Sequence, residues 1–116
     1  MTTTIYGIPN CQTVQKALKW LDNNNIAYTF WDYKKLGIDK SHLEKWCNMH
    51  TWQKVLNQSG MMWRKASPEA KEKVIDQASA IEYMITTPTS IKRPIIESDS
   101  KIVIGFNPES YATIFG

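Results

Sequence analysis

The sequence predicts an α/β fold made of a β-α-β unit, a helical insert and a final β-β-α unit. Three observations support this order: β-forming segments near both ends of the chain, a switch to helical periodicity directly after the first one, and a long helical stretch between them. With 116 residues, the chain is expected to form one domain over residues 1–116, with the helical insert at about 38–90. This order of elements is that of a thioredoxin-like fold.

The first unit is predicted from a change of period. Residues 3–6 are β-formers, and the turn residues Gly7-Ile8-Pro9-Asn10 end this strand. A helix then starts near Cys11 and stops at Asn23-Asn24-Asn25, and Ile26–Trp31 returns to strand character. The apolar face of this helix is predicted to carry Val14, Ala17, Leu18 and Leu21. Two parallel strands with a right-handed crossover are therefore expected.

The insert is predicted to be helical throughout. Two short stretches each place three apolar residues on one helical face, namely Leu43, Trp46 and Cys47, and then Trp52, Val55 and Leu56. A longer helix is predicted from about Pro68 to Met84, with Ser67 as its N-cap and Thr86-Thr87-Pro88 as its end.

The last unit is predicted to be a hairpin followed by a helix. Pro94–Glu97 and Lys101–Ile104 have strand character, and Ser98-Asp99-Ser100 between them has turn character. The final helix is expected to start with Asn107 as its N-cap and Pro108 at its first position.

Composition and charge exclude several classes of protein. The chain is 42% hydrophobic, with five tryptophans, so a packed core is expected. Its net charge of +3 is scattered along the chain, which argues against binding to nucleic acid. No apolar run approaches the roughly 18 residues of a membrane span, and the N-terminus lacks the pattern of a signal peptide. We expect a cytoplasmic monomer that binds neither nucleic acid nor membranes.

Cys11 is the residue with the clearest chemical role. The chain has two cysteines, too few for a disulfide framework or a zinc site, so no metal is expected. Cys47 falls on an apolar helical face and is expected to fill the core. Cys11 falls at the carboxyl end of the first strand, where open α/β sheets bind ligands, and at a helix N-terminus, which favours an anion such as a thiolate. Asn10 is the predicted N-cap; the alternative role for Cys11 is to fill space at this junction.

Spacing excludes the common partners of a reactive cysteine. Val14 stands where a redox Cys-x-x-Cys motif needs its second cysteine, and Ala17 stands where a phosphatase Cys-x5-Arg loop needs arginine. His42 and His50 fall in the helical insert and are expected to be solvated helix residues. Cys11 is therefore predicted to act alone, with the second thiol supplied by a partner. Glutathione is the expected co-substrate, and no bound cofactor is expected.

The chain uses arginine sparingly. Of its 14 basic residues only Arg64 and Arg93 are arginines, whose planar guanidinium binds carboxylates and oxyanions through two parallel hydrogen bonds. Arg93 precedes Pro94, and an X-Pro bond is the usual place for a cis peptide. Both arginines are predicted to bind an anionic substrate, and ordinary ion pairs with Glu69 or Glu97 remain the alternative.

Several motifs resemble the arsenate-reductase-related (ArsC/Spx/YffB-like) family, and above all its YffB-like branch of small glutathione-dependent thiol reductases. The resemblance covers essentially the whole chain. The matching segments are Ile5-Tyr6-Gly7-Ile8-Pro9-Asn10-Cys11, Trp31-Asp32-Tyr33, Leu56-Asn57-Gln58-Ser59-Gly60, Trp63-Arg64-Lys65, Ile91-Lys92-Arg93-Pro94 and Gly105-Phe106.

The resemblance implies roles for particular residues. Cys11 matches the nucleophile of the family, Arg64 and Arg93 match two anion-binding arginines, and Pro94 matches a cis-proline. Asn10, Arg64, Arg93 and Pro94 are expected to bind the substrate or glutathione. Glutaredoxin is an expected partner. The implied function is that of a thiol oxidoreductase enzyme that passes through a mixed disulfide with glutathione.

The sequence also departs from parts of the family. Arsenate reductases carry a third arginine where this chain has Gly105-Phe106-Asn107, and a histidine four residues before the cysteine, where this chain has Gly7. Spx-like regulators commonly carry a second cysteine where this chain has Val14. Arsenate reduction and a non-catalytic Spx-like regulatory module are therefore the two alternatives to a thiol oxidoreductase.

Overall fold

A computed structural model describes residues 3–99 and 101–115 of the chain. Its elements in chain order are β1 (Thr3–Gly7), α1 (Gln12–Asn23), β2 (Thr29–Asp32), α2 (Tyr33–Leu36), α3 (Lys40–Met49), α4 (Trp52–Val55), α5 (Met61–Arg64), α6 (Pro68–Lys73), α7 (Gln77–Thr86), a 3₁₀ turn (Pro88–Ser90), β3 (Ile95–Ser98), β4 (Lys101–Ile104) and α8 (Pro108–Phe115).

The chain folds as two compact units. Tyr33–Lys92 forms one, called the helical unit below, and the described segments before and after it form the other, called the sheet unit. That residues 1–116 form one domain stays a prediction.

The sheet unit has the predicted thioredoxin-like arrangement. Its four strands are ordered β2-β1-β3-β4, with β1 parallel to β2 and antiparallel to β3, and with β3 antiparallel to β4. The β-α-β unit and the later β-β-α unit thus share one sheet, with β1 in its interior. The predicted fold class is confirmed.

Helix α1 packs as its periodicity predicts. Val14, Ala17 and Leu21 are fully buried, and the last two join a core cluster that includes Ile5 of β1. The helix ends at the predicted asparagines, where Asn25 takes a left-handed conformation with φ 56°. The following strand, β2, begins three residues later than the predicted start at Ile26.

Tyr111 of α8 completes the core of the sheet unit. Its ring is fully buried and meets the rings of Trp20 and Phe106 edge to face, at centroid distances of 5.4 Å and 5.2 Å. Its hydroxyl donates a hydrogen bond to the Gly105 carbonyl at 2.6 Å, and burial raises the pKa of this phenol. The predicted N-cap of α8 is confirmed, because the Asn107 side chain accepts from the Glu109 amide at 2.9 Å.

The core of the helical unit contains the predicted apolar face of α3, together with residues of α7. Leu43, Trp46 and Cys47 of α3 are buried, as are Ala80, Ile81 and Met84 of α7. Leu56 departs from its predicted helix: it follows α4 and forms an antiparallel bridge with Ile91.

The helix predicted over residues 68–84 is wrong in one respect, because it is two helices. Ser67 caps α6 as predicted, accepting a hydrogen bond from the Ala70 amide. The chain then leaves the helical conformation at Val74. Asp76 starts α7 with a reciprocal capping box, in which its side chain accepts from the Ser79 amide and the Ser79 hydroxyl accepts from the Asp76 amide. This local cap outweighs the continuous helical pattern.

Tyr33 ties together the two ends of the helical unit. It is the first residue of that unit, its ring is fully buried, and its hydroxyl lies 3.0 Å from the Lys92 carbonyl oxygen and 3.2 Å from that of Ile91. Lys92 is the last residue of the unit, and its amide donates to the Val55 carbonyl. The hydroxyl therefore joins the point where the chain enters the unit to the point where it leaves.

Tyr33→Phe is expected to lower the free energy of unfolding by about 1–2 kcal/mol, because buried carbonyl groups lose their donor while the ring still packs. Urea denaturation measures the change. Tyr83→Phe is the matched control, since the Tyr83 hydroxyl bonds to none of the described residues, and it should change the free energy by less than about 0.5 kcal/mol. Equal losses of unfolding free energy in the two variants would show that the hydrogen bonds of the Tyr33 hydroxyl do not stabilise the helical unit.

Candidate functional site

Cys11 stands at the start of α1. It is the N-cap residue, with φ −117° and ψ 124°, and its side chain is partly exposed. Its carbonyl accepts the first helical hydrogen bond, from the Gln15 amide at 2.9 Å, while its sulfur accepts no capping hydrogen bond. The prediction that Asn10 is the N-cap is wrong, because Asn10 lies in the exposed turn before the helix. The cysteine thus takes the position next to the unpaired amides of the first turn.

Two contacts hold the turn that carries Cys11. The Gln15 side-chain amide donates to the Pro9 carbonyl at 3.0 Å, which joins the turn to the helix. Gly7 ends β1 as a buried strand residue, where the sequence predicted the start of a turn. A Cβ atom at Gly7 would lie 2.8 Å from a methyl carbon of Val14, so α1 packs closely against the end of β1.

The sheet brings other predicted residues to the same end. Tyr6 lies opposite Ile95 in the antiparallel β1–β3 pair, so the chain leaving β1 and the chain entering β3 share one end of the sheet. The first of these leads to Cys11, and the second consists of Arg93 and Pro94. The Arg93–Pro94 peptide bond is cis, and the buried Pro94 accepts a hydrogen bond from the Gly105 amide at 2.8 Å.

Asp32 adds a carboxylate to this end of the sheet. It ends β2 opposite Gly7 in the parallel pair, and it is partly exposed, as is Arg93. The residues at this end of the sheet therefore include a thiol, a guanidinium and a carboxylate, groups that can form hydrogen bonds with a polar substrate.

Arg64 lies in the helical unit. It is the last residue of the one-turn helix α5 and is exposed to solvent. The structure thus assigns Asn10, Cys11, Arg93 and Pro94 to the sheet unit and Arg64 to the helical unit.

Cys47 differs from Cys11 in every respect that matters for chemistry. It is 3% exposed inside the helical unit, and burial raises the pKa of its thiol to about 11. The structure confirms the predicted core position of this cysteine. At neutral pH it is a protonated, inaccessible thiol.

The histidines have structural roles. Asp39 is the N-cap of α3 and accepts hydrogen bonds from the backbone amide and the ring of His42, which lowers the pKa of the Asp39 carboxyl. His50 is the C-cap of the same helix. Within residues 3–99 and 101–115, no three His, Cys, Asp or Glu side chains form a group that could hold a metal ion.

A cavity of about 360 Å³ lies in the helical unit. It is lined by Ser67, Glu69, Ala70, Lys73, Val74, Ser79, Glu82, Tyr83 and Thr86. The hydroxyls of Ser67, Ser79 and Thr86 already bond within their own helices. None of the residues that line it is a cysteine or a predicted site residue, so the chemistry favours the sheet end as the candidate site.

Sequence reasoning missed the two residues that fix the turn of Cys11. Val14 was assigned to the core face, but the pattern of apolar residues does not show that its partner is Gly7. The bond from the Gln15 side chain to the Pro9 carbonyl depends on the path of the turn, which the sequence pattern does not show. The sequence signal for this contact is a glycine at the end of a strand, because such a glycine permits the close approach of a helix.

Comparisons with known proteins give the chain a family. The model of the ArsC family matches residues 6–114. A solved structure of a protein named YFFB is 44% identical, with a TM-score of 0.95, and the match covers 99% of this chain and 100% of that one. An uncharacterized protein of Haemophilus influenzae is 39% identical over 112 residues, 97% of each chain.

A more distant relative carries a different kind of name. The regulatory protein MgsR of Bacillus subtilis is 22% identical over 107 residues, which cover 90% of this chain and 83% of that one. In the part of the chain that the structure describes, no helix has both the length and the apolar character that a membrane span requires.

Iodoacetamide is expected to label Cys11 and spare Cys47 in the folded protein at pH 8. The reason is access and ionisation: Cys11 is partly exposed, whereas a thiol with a pKa near 11 is only about 0.1% thiolate at that pH. Peptide mass spectrometry measures both sites, and labelling in denaturant should reach both. Equal labelling of the two cysteines in the folded protein would contradict this arrangement.

Proposed function

This chain belongs to the ArsC family, and on that premise we propose that it is a thiol oxidoreductase with Cys11 as its nucleophile and glutathione as its co-substrate. One observation carries the proposal. Cys11 is the partly exposed N-cap of α1 at the end of the sheet, whereas the other cysteine is buried. An N-cap sulfur lies beside unpaired backbone amides, whose partial positive charge favours the thiolate.

The proposed reaction is a pair of thiol–disulfide exchanges. The Cys11 thiolate attacks the glutathione sulfur of a substrate–glutathione disulfide; the Cys11–glutathione bond forms, the substrate S–S bond breaks, and the substrate leaves as a thiolate that takes a proton from water. A second glutathione thiolate then attacks the glutathione sulfur on Cys11. It forms glutathione disulfide and releases the Cys11 thiolate. In the net reaction the substrate–glutathione disulfide is reduced to a free thiol, and its glutathione is joined to the second glutathione.

The second thiol in this scheme comes from outside the chain. Position 14, where a resolving cysteine would stand, is occupied by the buried Val14, and Cys47 is buried in the helical unit. A mixed disulfide on Cys11 must therefore be resolved by free glutathione or by a partner such as glutaredoxin.

Arg93, Pro94 and Asn10 are proposed to bind glutathione. Glutathione is a peptide with two carboxylates, and the guanidinium of Arg93 matches a carboxylate through two parallel hydrogen bonds. The strand register supports this role, because it places the Arg93–Pro94 segment at the sheet end from which the chain leads to Cys11. Asn10 is an exposed amide next to the cysteine and can both donate and accept. The role of Arg64 stays a prediction taken from the family resemblance.

A regulatory module is the second candidate. The observation in its favour is the relative named regulatory protein MgsR. A redox switch with two thiols is disfavoured, because position 14, three residues after Cys11, is Val14 and not a cysteine. Arsenate reduction is the third candidate, and the lack of an arginine in Gly105-Phe106-Asn107 weakens it.

Exposure to glutathione disulfide is expected to add one glutathionyl group to the native protein, on Cys11. The Cys47→Ser variant should gain the same group, and the Cys11→Ser variant none, because serine cannot form the disulfide. Intact-mass and peptide mass spectrometry measure the adduct, and added glutathione should remove it. An adduct on Cys47 alone, or none at all, would refute the proposed function and favour the regulatory module.

Arg93→Gln is expected to raise the KM for a glutathione-containing disulfide about tenfold or more, because a hydrogen bond to a charged group contributes roughly 1.5–3 kcal/mol. Lys101→Gln removes an exposed positive charge from β4 of the same unit and should leave the KM within about twofold. Steady-state kinetics measure both variants, and Arg64→Gln tests the role inherited from the family. Equal effects of Arg93→Gln and Lys101→Gln would mean that Arg93 supplies only a general charge.

A further inference from the structure

We propose that Gly7 is a positioning residue: because it has no side chain, the first turn of α1 can lie close to the end of β1, and this close approach sets the position of Cys11. The inference rests on the proposed function, since Gly7 acts on the reaction only through the cysteine.

The space for a side chain at Gly7 is already occupied. A Cβ atom built there would lie 2.8 Å from one γ-methyl carbon of Val14, 3.5 Å from the other and 3.7 Å from the Val14 Cβ. Side-chain Cβ atoms essentially never approach another heavy atom closer than 3.0 Å, so any larger residue at this position forces a displacement.

Space, not backbone conformation, is what requires glycine here. Gly7 is the last residue of β1, and its φ lies outside the left-handed region. Gly37 and Gly105, in contrast, have φ values of 76° and 85°, and a Cβ at either would meet nothing within 4 Å. The chain thus contains glycines of two kinds, and Gly7 belongs to the kind that permits close approach.

Neither partner in the contact can yield easily. The Gly7 backbone is held by the β1–β2 pairing, in which it lies opposite Asp32. Val14 is fully buried, and a β-branched side chain in a helix has one strongly preferred rotamer. A methyl group at position 7 is therefore expected to push the first turn of α1 away from the strand.

That turn carries Cys11 with it. Cys11 precedes Val14 by three residues, less than one helical turn, and its carbonyl is bonded to the Gln15 amide. The Gln15 side chain also binds the Pro9 carbonyl on the other side of the cysteine. These hydrogen bonds tie the turn to the first turn of α1, so a shift of the helix is expected to move the N-cap sulfur as well.

The chemical consequence concerns the amides of the first turn. Their effect on an anion falls off within that turn, so a small movement of the sulfur changes how strongly the thiolate is favoured. If the role of Gly7 were purely structural, its replacement would lower stability and leave the reactivity of Cys11 in the folded protein unchanged. Reactivity and stability are thus separate measurements of the two roles.

The test uses Gly7→Ala, Val14→Ala and the double variant, with Cys11 alkylation rates measured across pH and the melting temperature measured for each protein. We expect Gly7→Ala to lower the Cys11 rate at neutral pH about two- to fivefold and to change its pH profile. Val14→Ala should keep the native profile while lowering the melting temperature. The double variant, which removes both γ-methyl groups of Val14 and adds one methyl group at position 7, removes the clash and should regain the native profile.

Two results would overturn the inference: a native pH profile in Gly7→Ala, or a shifted profile that the double variant fails to restore. Should Gly7→Ala fail to fold, the double variant decides the matter: folding with the native profile supports the inference, and failure to fold or a shifted profile overturns it. Failure of the proposed function can be distinguished from failure of this inference. If the proposed function is wrong, the native protein forms no Cys11–glutathione adduct, whatever the alkylation rates of the variants.

Discussion

Strand β1 is paired along both of its edges, and the location of the site depends on this. Its parallel partner β2 and its antiparallel partner β3 fix which chain ends meet at one end of the sheet. The exit of β1 leads to Cys11, the entry of β3 follows Arg93 and Pro94, and the exit of β2 is Asp32. A register slip of one residue would turn the buried Ile5 to the opposite face, so core packing protects the alignment of the site.

The elements that the sequence predicts well are those fixed by local chemistry. Ser67 and Asn107 cap their helices as their side chains dictate, and the buried face of α1 follows from its period. The errors occur where two local signals compete. Asp76 starts a new helix inside a pattern that otherwise predicts one, and Cys11 takes the N-cap position that the side chain of Asn10 suits better.

The candidate site was predictable in its residues but not in its geometry. Motifs in the sequence indicate Cys11 and Arg93, because cysteine at a strand–helix junction and a rare arginine before proline are both unusual choices. Only the fold shows that Val14 lies against Gly7, since the distance between the strand end and the helix depends on tertiary packing. The two cysteines illustrate the same limit of sequence-based prediction. Cys11 is a partly exposed N-cap residue and Cys47 is buried in a core, and this difference depends on tertiary packing.

The proposed function requires that the fold make Cys11 a better nucleophile than the same residue in an unfolded chain. The most direct measurement compares the pH dependence of Cys11 alkylation in the native protein with that in a peptide of residues 5–18. An unperturbed thiol becomes reactive near pH 8.5. We predict that Cys11 in the folded protein is alkylated faster at neutral pH than Cys11 in the peptide. Coincident profiles would contradict it and would leave Cys11 as a structural residue of the strand–helix junction.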